Sequence, residues 1–136
     1  IPGSSRILSG NVMQLLAYLV SYEIQQSASR AENLANHIIS FIKKYLTQEI
    51  DFKKLASEHQ LSYNRFRTIF KNETGVSLQQ FLIHERLENA KRLIINTDLS
   101  LKEISVKTGF SSLFYFSKVF KNKMGYPPRQ IRAKRQ

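Results

Sequence analysis

Asn64, Arg67, Thr68 and Lys71 are polar residues three or four positions apart in a segment that also carries Phe66, Ile69 and Phe70. At about 100° per residue on a helix, with Phe66 set at zero, Phe70 falls at about 40° and Ile69 at about 300°. Arg67, Lys71, Asn64 and Thr68 fall at about 100°, 140°, 160° and 200°, on the opposite side. The arginine fork matches the O6 and N7 acceptors of guanine. The asparagine amide matches N6 and N7 of adenine. This is chemistry of recognising base edges rather than of making or breaking bonds. Tyr63, at the start of the same segment, either hydrogen-bonds phosphate or lies flat on the domain.

The pattern occurs twice. Phe66, Phe70, Lys71 and Gly75 recur as Phe116, Phe120, Lys121 and Gly125, each displaced by 50 residues. The same arithmetic buries Phe116, Val119 and Phe120 and exposes Phe114, Ser117, Lys118 and Lys121, with Leu113 near the start. Phe114 either touches a thymine methyl or packs. Lys71 and Lys121 stand near helix C-termini, where they also favour the helix dipole. The repeated residues build core and caps; the residues that differ are the outward ones. We therefore expect the first segment to supply more base discrimination, and the second more phosphate attraction and shape fit.

Each segment needs a scaffold. Asp51 can cap a short helix through Glu58, and Leu61-Ser62 then turns into the helix that Gly75 stops. Ser77 and Gln80 form a capping box in front of a long helix, about Leu78 to Ile95. Ser100 and Glu103 form another, ahead of a short helix, the turn Gly109-Phe110-Ser111, and a helix from about Ser112 to Lys123. Pro127-Pro128 suits the first turn of a last short helix. Leu55-Ala56 and Leu61 match Ile104-Ser105 and Phe110 at an offset of 49, so the second turn is one residue longer. No segment has the period of a strand. The spacing predicts an all-α chain of seven or eight helices: two helix-turn-helix units joined by a long helix. That joining helix is roughly 27 Å long at ~1.5 Å per residue, against ~34 Å between successive major-groove segments on one face of DNA.

Upstream, Val12, Leu15, Leu16, Leu19, Val20 and Ile24 make a one-sided helical stripe, and Leu34, Ile38, Phe41, Ile42, Tyr45 and Leu46 make another. Between them Ser29 and Glu32 have capping-box spacing, which predicts a break at Ser27-Ala28-Ser29 and a restart. The expected division is residues 1–28 as a connector or dimerisation helix, 29–76 as the first unit, 77–96 as the linking helix and 97–136 as the second unit with a basic C-terminal helix. The start at Ile1-Pro2-Gly3 reads as a cut or processed end.

The chain of 136 residues has 21 basic and 10 acidic side chains, a net charge of +11. The excess is placed unevenly. Arg6 and Arg30 balance Glu23 and Glu32 in the first 33 residues, whereas residues 99–136 set nine basic groups against Glu103 alone. Such asymmetry favours a polyanionic partner. Arg129, Arg132, Lys134 and Arg135 contribute to it, either as contacts or as a solvated tail. No cysteine is present, which excludes disulfides and thiolate metal sites. No apolar run approaches the ~20 residues that cross a bilayer, so no membrane role is expected. His37, His59 and His84 are far apart and have no partners at metal spacing. No phosphate-cradling glycine loop or nucleophile motif occurs, so we expect no enzyme, no cofactor and no metal. A helical adaptor for an acidic partner would explain the charge but not the duplicated turn. RNA suits the outward faces poorly, because A-form grooves do not readily admit a helix.

The full set of residues resembles the C-terminal DNA-binding domain of the AraC/XylS family of bacterial transcription regulators. The match runs from about Leu34 to Arg132. It includes Leu55-Ala56, Leu61-Ser62, Phe66, Phe70-Lys71, Gly75, Phe81, Arg86-Leu87, Ala90, Leu93 and Thr97. Its most specific part is Ile104, Gly109-Phe110, Tyr115-Phe116-Ser117, Phe120-Lys121, Gly125, Pro128 and Ile131-Arg132. Ser105 departs from a usual alanine, Ile131 from a common aromatic, and Leu113 and Phe114 are more apolar than a base-reading face usually is. The resemblance implies binding of double-stranded promoter DNA by a cytoplasmic, nucleoid-associated bacterial protein, usually with activation through RNA polymerase. It places the contacts on Asn64, Arg67 and Thr68, and on Leu113, Phe114 and Lys118. It also implies that the helix from Asn11 to Gln26 is a connector, or the end of a sensor or dimerisation domain. Its apolar face would pair with another copy or pack on the DNA-binding domain.

Overall fold

The computed structural model describes residues 2–135, with side chains placed over residues 10–132. Seven helices follow one another: α1 (Pro2–Lys44), α2 (Phe52–Glu58), α3 (Tyr63–Thr74), α4 (Leu78–Asn96), α5 (Leu101–Lys107), α6 (Leu113–Met124) and α7 (Pro128–Arg135). No strand occurs among the described residues. The caps predicted at Asp51, Ser77, Ser100 and the two glycines form, and Ser62, expected in a turn, is a further N-cap. Asp51 and Ser62 accept from the backbone N–H groups of Lys54 and Arg65, each at 3.1 Å. Ser77 with Gln80, and Ser100 with Glu103, close reciprocal capping boxes at 3.1 Å. Gly75 and Gly125 end α3 and α6 in the left-handed region, at φ +81° and +85°. There a side chain would be strained.

Two hydrophobic cores are divided along α4. The first gathers Ile38 and Ile42 of α1, Phe52, Leu55 and Ala56 of α2, Phe66 and Phe70 of α3, and Leu78 and Leu82 of α4. The second gathers Leu87, Ala90 and Ile94 of α4 with Ile104, Phe110, Phe116, Phe120 and Ile131. The four repeated phenylalanines, Phe66, Phe70, Phe116 and Phe120, are fully buried. Ser105, in the usual alanine place, is also buried, and its hydroxyl donates to the Lys102 carbonyl at 2.7 Å. Ile131 fills its site in the second core without an aromatic ring.

One expectation changes, and two open alternatives narrow. The break at Ser27–Ser29 is absent, because α1 runs through it as one helix of 43 residues. Serine is a weaker helix former than alanine by only a few tenths of a kcal/mol, so a local capping pattern need not stop a helix already propagating. The apolar stripe of α1 does not pack on the DNA-binding units. Leu15 is 62% exposed, and Val12, Leu16, Leu19, Val20 and Ile24 are all more than half exposed. The basic C-terminal segment is not a free tail throughout. Arg132 is half-buried and donates to the Thr97 carbonyl at 3.4 Å, while Arg129 is exposed. The side chains of Lys134 and Arg135 lie outside the described residues.

Candidate nucleic-acid interface

In each unit a seven-residue helix and a turn present a helix of twelve residues, α2 before α3 and α5 before α6. Burial of Phe66 and Phe70 fixes the roll of α3, and burial of Phe116 and Phe120 fixes that of α6. The outward faces follow from helical geometry. On α3, Asn64, Arg67, Thr68 and Lys71 are exposed and Tyr63 is half-buried.

These side chains already touch. An Arg67 terminal N–H donates to the Asn64 side-chain oxygen at 2.6 Å. The Arg67 guanidinium lies 5.0 Å from the centre of the Tyr63 ring, and Lys53 approaches that ring at 5.9 Å. Tyr63 is thus a platform that holds the arginine by cation–π attraction. The Thr68 hydroxyl donates to the Asn64 carbonyl at 2.8 Å, which leaves its oxygen as an acceptor. Arg67 keeps further donors, and Asn64 keeps its amide N–H groups and a second lone pair. Beyond the three-residue spacing of Asn64 and Arg67, no residue pattern signals this mutual bracing.

The α6 face has different chemistry. Phe114 is 78% exposed, so it is not core. Leu113, Lys118 and Lys121 are exposed as well, whereas Ser117 is half-buried. Its place at about 100° from Phe116 lies on the flank of the buried arc, and a short side chain there does not clear its surroundings. The face joins an aromatic ring and an aliphatic side chain to two ammonium groups. That combination can meet thymine methyls and phosphates but has no bidentate reader.

Two features escaped the reading of the sequence. His37 and His59 meet edge to face with ring centres 4.9 Å apart, joining α1 to the end of α2. No group of three or more metal-ligating side chains occurs among the described residues. Arg86, on α4, donates from Nε to the Leu46 carbonyl and from a terminal nitrogen to the Gln48 carbonyl, each at 2.9 Å. Burial lowers the pKa of this guanidinium from its ordinary value, and nearby Tyr115 opposes the shift. The partners of Arg86 lie 38 and 40 positions away, beyond any local pattern. No described helix is long and apolar enough to cross a membrane.

Comparison with known proteins supports the fold. A family described as a helix-turn-helix domain matches residues 55–134. The HTH-type transcriptional activator RhaS of Klebsiella pneumoniae (strain 342) is 28% identical over 123 residues, covering 90% of this chain and 44% of that protein. RhaS of an Escherichia coli strain gives the same figures, so the chain spans under half the length of these curated relatives. Among solved structures, the C-terminal domain of AraT, a response regulator from Geobacillus stearothermophilus, superposes with a TM-score of 0.70 at 28% identity. It covers 74% of this chain and 84% of that one. The DNA-binding domain of AdpA, a global transcriptional factor solved with a target DNA, gives 0.68 at 27% identity, covering 74% and 90%. With its duplicated helix-turn-helix, its long joining helix and these relatives, the chain belongs to the AraC/XylS family as a DNA-binding domain of transcription regulators.

Proposed function

We propose that α3 and α6 enter two successive major-groove segments on one face of a promoter, and that the two helices read DNA unequally. The observation that carries this reading is the braced Tyr63, Asn64 and Arg67 cluster on α3, set against the Phe114, Lys118 and Lys121 face of α6. Arg67 and Asn64 are assigned to base edges. Thr68 and Lys71 are assigned to the flanking edge and backbone, with Tyr63 as their support. On α6, Phe114 and Leu113 are assigned to apolar contact with thymine methyls, Lys118 and Lys121 to phosphates, and Ser117 to the margin of the contact.

α4, of 19 residues, spans roughly 28 Å at ~1.5 Å per residue. That is near the ~34 Å separation of adjacent groove segments, and modest bending of the duplex would close the difference. Binding to a selected duplex should weaken at least about a hundredfold between 50 and 200 mM salt, as several phosphate contacts release counterions. It should also survive an excess of random duplex. Equal retention of any polyanion would overturn the reading.

The activator names of the relatives support a role in activating transcription, which we assign to recruitment of RNA polymerase at promoters in the cytoplasm. The exposed aliphatic residues of α1 support self-association through that helix. Sedimentation at tens of micromolar should show a dimer that Leu15→Glu with Leu19→Glu disperses. A monomer with α1 intact would remove this part of the proposal.

A further inference from the structure

Arg86 sits where α4 changes allegiance, between Leu82 of the first core and Leu87 of the second. Its fork grips the Leu46 and Gln48 carbonyls just beyond the end of α1. From the other side the turn of the second unit closes on it. A Cβ built on Gly109 would lie 3.0 Å from Arg86 Nε, 3.1 Å from its Cζ and 3.1 Å from the Thr47 carbonyl oxygen. The backbone of the second turn therefore rests directly on the guanidinium and on the segment after α1. The equivalent turn in the first unit holds Gln60, exposed and also at positive φ. Gln60 is open to solvent, whereas Gly109 is pressed against Arg86 and Thr47.

We infer that Arg86, seated under Gly109, is a positioning residue that locks the two units in one relative orientation and so sets the spacing between base elements that the domain accepts. The inference rests on the tandem reading above. Apart from this contact, α4 is the element that contributes to both cores. Inserting one base pair shifts the second element by ~3.4 Å and turns it by ~34°, and a locked pair cannot follow. Lysine at position 86 would keep the charge but replace the rigid two-nitrogen fork that serves both carbonyls with donors on a single nitrogen.

Two measurements test this together. The chain has no cysteine, so spin labels on Asn72→Cys and Asn122→Cys, exposed and equivalent in the two units, report the distance between α3 and α6 without DNA. The parent should give one narrow distance peak, and Arg86→Lys should broaden it at least about twofold. On duplexes whose two elements are moved apart or together by one base pair, the parent should lose roughly tenfold in affinity for each change. Arg86→Lys should lose less than about threefold, with its binding to a single element unchanged.

A broad peak in the parent, which needs no variant to fold, overturns the inference. So does a folded Arg86→Lys protein with the parent's narrow peak or the parent's spacing preference. If the peak is narrow and Arg86-dependent but the parent binds duplex DNA with no preference for spacing, the tandem reading fails and the orientation lock stands.

Discussion

The two helix-turn-helix units share a frame and differ at the surface. Both bury two phenylalanines at the same register, cap the outer helix with serine and stop it with glycine. The first braces an arginine and an asparagine over a tyrosine; the second exposes a phenylalanine beside two lysines. Their turns differ too, with Gln60 open to solvent and Gly109 pressed on Arg86. Duplication kept what folds. The differences lie on the exposed faces and in the turns.

Four perturbations would break or sharpen this comparison. The largest effect should come from the shared frame. Phe66→Ala and Phe116→Ala should each cost about 3–5 kcal/mol in chemical denaturation, because each leaves a cavity in a fully packed site. A loss below about 1 kcal/mol in either would deny that unit a core of its own. The turns come next. Gly109→Ala combines a φ of +90° with contacts at 3.0–3.1 Å, and should destabilise by at least about 1–3 kcal/mol. Gln60→Gly relieves φ +59° in open surroundings and should be neutral or slightly stabilising in the same assay.

On the faces, Arg67→Ala should relax preference at one base position by about 1–3 kcal/mol. Lys118→Ala should weaken all sequences alike and reduce the salt slope by about one. Equal relaxation by both, measured over a randomised site, would contradict the unequal roles. The smallest effects should be at the caps, where Ser77→Ala and Ser100→Ala should each lower stability by about 1 kcal/mol.

The sequence made the helices and turns legible where one residue satisfies a neighbour three or four positions away. Asp51, Ser77, Ser100 and the glycines after α3 and α6 are such cases. The buried phenylalanines were legible through period, and their register placed the outward residues without a structure. Continuity of α1 through Ser27–Ser29 was not legible, since a capping-box spacing inside a helix looks like one at its start. The Arg86 grip on Leu46 and Gln48 was hidden for another reason: it joins distant segments through backbone carbonyls, which carry no residue signature. The burial of Arg132 against Thr97 escaped in the same way. The exposure of Phe114 was open to two readings in the sequence, because the wheel angle gives direction and not what covers it.

Selection of binding sites from random duplex DNA tests the central claim most directly. Two dissimilar elements about 10–10.5 base pairs apart, centre to centre, should emerge, held at one spacing. One should carry sharp base preferences assigned to α3, and the other a weaker, thymine-rich signal assigned to α6. A single element, or two elements of equal sharpness and the same sequence, would contradict it.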